Sequence, residues 1–172
     1  LFLLLLISTA MLAQNNPAPD TSWKKIYRAE ATKINDLVNT KLDVKFDYSK
    51  SYMYGKEWLT LHPHFYPTDS LTLDAKGMNI NEVSLFVNGK KTPLQYKYDD
   101  SLFLCITLNK TYKANENYTV YIDYVSKPDE WQERGSAAIA GAKGLYFINP
   151  RGEEADKPTE IWTQGETEHN SV

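Results

Sequence analysis

Apolar and charged residues alternate without a break from Lys41 to Tyr48. Leu42, Val44, Phe46 and Tyr48 interleave with Lys41, Asp43, Lys45 and Asp47. A period of two gives a strand one apolar and one charged face. Leu59 and Leu61 resume the pattern after Gly55, and Pro63, which lacks an N–H for the ladder, should stop it or force an edge position. Leu71–Thr72–Leu73 makes another short run, closed by Asp74–Ala75–Lys76–Gly77. Val83 to Val87 reads as a strand ending at Asn88–Gly89, the pair best suited to the positive φ angles of a two-residue hairpin. Leu94 to Tyr98 is its expected partner. Leu102 to Leu108, Tyr118 to Tyr124 and Leu145 to Ile148 are further strand-like runs.

About eight short strands, with turn signals between them and almost no helical period, predict an all-β fold: an antiparallel β-sandwich, an open barrel or a saddle-like open sheet. The expected core is Leu42, Val44, Phe46, Leu59, Leu61, Leu73, Leu104, Ile106, Val120 and Ile122. Cys105, set in Leu-Phe-Leu-Cys-Ile, reads as a small buried residue. Twelve Tyr, six Phe and four Trp fit the same class, since aromatics suit pleated, half-buried surfaces.

The two ends read differently from the middle. Residues 1–13 (LFLLLLISTAMLA) form an uncharged apolar run that fades into small residues. A bilayer span needs roughly 20 residues, so the expectation is the hydrophobic part of a secretory signal peptide, cut near Ala13. No Cys follows to take a lipid anchor. Residues 14–29 read as a polar, proline-containing tether and a short helical lead-in beginning at Trp23. Residues 30–172 make up the β domain. Both ends are expected to be truncations, since Leu1 is not an initiator Met and Val172 falls within a structured stretch. The localisation this implies is export: periplasmic, secreted or outer-surface associated.

At 172 residues and a net charge of −3, the chain fits one domain and offers no cationic excess for nucleic acid. One Cys can build neither an internal disulfide nor a multi-thiolate zinc site. His62 precedes Pro63 and His169 precedes Asn170, so neither opens the HExxH pattern of a zinc protease. Glu166, Glu168 and His169 form a small acidic cluster that reads first as a solvated loop. Ser70, Ser84 and Ser101 have no Gly-flanked elbow, and Gly135 to Gly144 matches no phosphate-binding spacing. Asn109–Lys110–Thr111 and Asn117–Tyr118–Thr119 are sequons, meaningful only in a eukaryotic secretory route. From residues alone, the chain is a secreted β-sandwich.

Five runs, in order, resemble the N-terminal domain of the gluzincin aminopeptidases, the family of aminopeptidase N. They are LDVKFDYSKSYMYGKEWLTLHP (42–63), LTLDAKGMNI (71–80), YTVYIDYVSKP (118–128), GLYF (144–147) and WTQGE (162–166). The first resembles an amphipathic strand that turns through Gly into a second. The last resembles the family's TQ-x-E signature. The resemblance implies a zinc metalloaminopeptidase that acts on peptides with a free N-terminus. Its zinc site and catalytic residues lie in a downstream catalytic domain, so this chain alone is expected to hold neither metal nor activity. Glu166 then matches the Glu that anchors the substrate ammonium, and Gln164 the Gln that lines the first side-chain pocket; Gly165 departs from the bulkier residue often found between them. An acceptor-only carboxylate is the natural partner for an ammonium. The resemblance also implies a mobile stretch at Gly135 to Gly144 and weak anchoring from Glu153 to Val172. The rival reading is a non-catalytic secreted binding module for carbohydrate or adhesion.

Overall fold

The computed structural model describes residues 33–99, 102–130 and 144–163, all within one compact unit, Lys33–Val172. The signal-like run, the tether, the helical lead-in and Gly135 to Ala142 lie outside the described residues. The described residues form ten strands: β1 Asn35–Asp47, β2 Tyr52–Pro63, β3 Thr68–Asp74, β4 Met78–Val87, β5 Lys90–Pro93, β6 Gln95–Lys97, β7 Phe103–Tyr112, β8 Tyr118–Ser126, β9 Leu145–Ile148 and β10 Glu160–Thr163. Every pairing is antiparallel. The sheets are β1-β2-β8-β4-β5, β3-β7-β6 and β10-β9, all open, which is the expected all-β class.

Side-chain alternation builds the core between the first two sheets. Leu59 and Leu61 of β2, Val83 and Leu85 of β4, and Val120 and Ile122 of β8 face Leu71, Leu104, Ile106 and Leu108. Val120 is fully buried and Leu104 nearly so. Asn35 stitches the layers: its amide accepts from the buried Tyr118 hydroxyl at 2.7 Å and donates to Ser70 O at 3.3 Å.

Four expectations are corrected. Leu42, Val44 and Phe46 do lie on the core-facing side, paired with Glu57, Gly55 and Met53, yet they are 55%, 38% and 37% exposed. The core cluster takes no residue from β1, because the second sheet covers β2, β8 and β4 and reaches β1 only at its first residue, Asn35. Leu73 is half-buried. Cys105 is exposed, since Leu104, Ile106 and Leu108 take the inward positions and leave it the opposite face. The Asn88–Gly89 hairpin forms, with φ of 49° and 78°, but its partner strand is β5; β6 pairs with β7 in the other sheet, so the chain changes layers at Leu94.

A further correction concerns Gly55. It does not turn the chain: the β1–β2 turn is Tyr48–Ser51, held by Asp47, which accepts from Ser49 Oγ at 2.7 Å and Lys50 N at 3.2 Å. Gly55 lies within β2, directly opposite Tyr124 of β8.

Glu57 is the odd residue on the inward face of β2. Burial alone pushes its carboxyl pKa up. An acid whose pKa is raised by folding adds stability below its unfolded pKa and loses it as pH rises through the folded one. Glu57→Gln should therefore raise the melting temperature at pH 7 by about 2–4 °C, on the basis of about 1 kcal/mol for relieving a desolvated carboxylate. Thermal melts from pH 4 to 8 check this. The gain should vanish at the acid end, and a gain independent of pH would mean that charge is not the cause.

Candidate functional site

The segment that carries the resemblance to a substrate-binding signature begins in β10, with Trp162 and Thr163, and the placement of that strand is local. β9 and β10 pair from Glu160↔Ile148 to Thr163↔Leu145. Leu145 and Phe147 are buried, and Phe147 packs edge-on against Phe46 at 6.2 Å and Tyr48 at 5.8 Å. The ribbon thus sits over the end of β1. On its other face Tyr146 stands opposite Trp162, and Trp162 is 59% exposed.

Asn149 closes the ribbon, and sequence reasoning misses it. At φ 44° it takes a left-handed conformation that Asn tolerates better than most residues. Its amide donates to Glu154 O at 2.9 Å and Lys157 O at 2.6 Å, and accepts from Glu154 N at 3.1 Å. Its carbonyl accepts from Thr159 Oγ1 at 2.9 Å and Gly152 N at 3.0 Å. One buried side chain therefore organises the loop from 149 to 159. Asn-Pro-Arg-Gly at 149–152 is the available signal, a turn tetrad between two apolar runs. This loop and β10 give the chain hydrogen-bonded partners as far as Thr163, and the rest of the stretch expected to be weakly anchored, Gln164 to Val172, lies outside the described residues.

Gln164 and Glu166, the two substrate-binding candidates, lie outside the described residues, as do Gly165, Glu168 and His169. The described part of the site is thus the strand that delivers them.

The remaining candidates have structural partners. His64 Nδ1 lies 2.6 Å from Asp36 Oδ2, while His62 Nδ1 is 3.9 Å from the same oxygen and 2.9 Å from Pro63 O. Hydrogen bonds from His64 and then Lys33 hold the Asp36 carboxyl below its usual range. This is a clasp at the start of β1. Among the described residues no group of three or more His, Cys, Asp or Glu could hold a metal ion, so zinc does not fit this part of the chain. A shallow cleft beside Gly55 is lined by Asp43, Lys45, Tyr54, Lys56 and Asp123, whose opposed charges favour no ligand of one sign. Trp58 and Tyr121 on the outer face of the five-stranded sheet are capped by Lys41 at 4.7 Å and Lys91 at 4.2 Å, so neither ring is a bare platform.

Comparison with known proteins adds the fold. No family model matches the sequence, and no curated protein matches it. Among solved structures, the chain is similar to a variant of a two-domain M1 zinc metallopeptidase bound to L-arginine, with TM-score 0.52 and 16% identity over 67% of this chain and 26% of that one. It is similar also to an M1 zinc metallopeptidase variant from Deinococcus radiodurans bound to a Tyr-Ser-Ala substrate, with TM-score 0.50 and 16% identity over 66% of this chain and 26% of that one. The chain spans about a quarter of the length of these structures. The fold agrees with the resemblance to an N-terminal domain of this family.

Proposed function

We propose that the chain is the N-terminal, substrate-anchoring domain of an exported zinc metalloaminopeptidase that removes residues from the free N-terminus of peptides. The fold shared with the two-domain M1 enzyme carries this reading, joined to the order of the five sequence runs. Glu166 accepts hydrogen bonds from the substrate's α-ammonium and fixes which peptide bond is presented. Gln164 lines the pocket for the first side chain. The catalytic residues and the zinc ligands belong to the downstream catalytic domain of the longer polypeptide.

The test is hydrolysis by the whole polypeptide that the gene encodes. An aminoacyl chromogenic substrate should be cleaved when its amine is free and not when it is acetylated, because acetylation removes the charge that Glu166 recognises. Chelation should abolish cleavage and added zinc should restore it. Equal cleavage of free and acetylated substrates would remove the anchoring role. Absence of any peptidase activity would favour the binding-module reading.

A further inference from the structure

Among the described residues β1 is the edge of the five-stranded sheet, and its thirteen residues of backbone have a partner strand on one side only. Natural edges of this length are usually blunted, because unpaired N–H and C=O groups invite another strand. Here Lys41, Asp43 and Lys45 project from one face, all exposed, while Leu42, Val44 and Phe46 lie exposed on the other. Among the described residues Asp43 and Lys45 make no ion pair within the chain.

We propose that β1 pairs antiparallel with β1 of a second copy of this chain, about a two-fold axis at Val44. The order of charges favours this register, which pairs all four charges of the face where an axis at Leu42 or Phe46 would pair only two. With the axis at Val44, Lys41 faces Asp47 of the second copy and Asp43 faces its Lys45, and the reciprocal pairs follow by symmetry. Every charge on that face from Lys41 to Asp47 meets its opposite, with Asp43 and Lys45 unpaired within the described residues, while Lys41 also caps Trp58 and Asp47 also pairs with Lys50 at 3.6 Å. Moving the axis to Asp43 sets Asp43 against Asp43 and Lys41 against Lys45. Moving it to Lys45 sets Lys45 against Lys45 and Asp43 against Asp47. Like charges directly opposite are destabilising, so both shifts are disfavoured.

The other face agrees with the same register. Leu42 then stands opposite Phe46 of the second copy, and Val44 opposite Val44. The apolar residues that the second sheet leaves uncovered thus pack on one another. Two five-stranded sheets join into one continuous sheet. This inference does not depend on the peptidase reading and uses neither Gln164 nor Glu166.

Sedimentation equilibrium on the polypeptide as its gene encodes it tests the pairing. The expected result is a dimer that dissociates on dilution. Lys45→Asp and Asp43→Lys should each weaken it at least about tenfold, since each turns two attractive contacts into two repulsive ones. An equimolar mixture of the two variants should recover the affinity as a heterodimer. At positions 43 and 45 one variant then carries two acids and the other two lysines, so each acid faces a lysine across the axis. That recovery also shows that both variants are folded. Hydrogen exchange should show outward-pointing amides between Lys41 and Asp47 gaining protection as concentration rises. A monomer at every concentration overturns the proposal. So does a dimer indifferent to both substitutions, or a mixture that associates no better than either variant alone.

Discussion

Glu166→Ala in the intact polypeptide should lower kcat/KM for an unblocked aminoacyl substrate about ten- to a hundred-fold. One hydrogen bond to a charged group is worth roughly 1.5–3 kcal/mol, which sets that range. Glu166→Gln should fall between, since the amide still accepts but carries no charge. The melting temperature should scarcely move, because β10 ends at Thr163, three residues before Glu166, and the loop network around Asn149 lies upstream. A solvated acidic loop would give no change with either substitution. Unaltered kinetics in Glu166→Ala would therefore withdraw the assignment and, with it, the support for Gln164.

Gly55→Ala should be the most damaging small substitution in β2. A Cβ built there lies 2.4 Å from Tyr124 Cζ, 2.7 Å from its hydroxyl oxygen and 2.8 Å from Cε1. The ring lies over the glycine, and Tyr124 is buried, with a hydroxyl pKa pushed up to about 12, mainly by burial and then by the charge of Glu57. Overpacking of this kind costs about 1–3 kcal/mol, and two ring atoms and the hydroxyl oxygen inside contact distance favour the upper end. A fall in melting temperature of about 10 °C is expected. In a Tyr124→Ala background the same Gly55→Ala change should cost little, because the space is then free. A melt within a degree of wild type for Gly55→Ala alone would show that the ring moves aside without cost.

The inward or outward sense of most strands was legible because it depends only on local alternation. Leu104, Ile106, Val120 and Ile122 are buried as the period of two requires. Cys105 sits in a hydrophobic run that as a whole suggests burial, but parity assigns it to the opposite face from Leu104 and Ile106. Alternation gave the correct side for Leu42 and Val44, but burial depends on which other element covers that side, and no local pattern records it. Likewise Asn88–Gly89 specified its turn through φ preference, while the short run Lys90 to Pro93, rich in polar residues, carried no strand signal. At the site, the ribbon was half visible: Leu145 to Ile148 read as a strand, and Glu160 to Thr163 did not, being only four residues long with a single aliphatic.

The place of β8 in the five-stranded sheet has a consequence for synthesis on the ribosome. β2 and β4 precede β8 in the chain, yet each pairs with β8 and not with the other. Until Tyr118–Ser126 has emerged, the nascent chain can complete only the hairpins β1–β2 and β4–β5 of this sheet. During that interval the inner edges of both hairpins are open, with Leu59, Leu61, Val83 and Leu85 still uncovered by Val120 and Ile122. Slow, non-local closure of this kind is where chains associate wrongly. Ribosome pausing before residue 118 should therefore be more harmful to yield than pausing after residue 126.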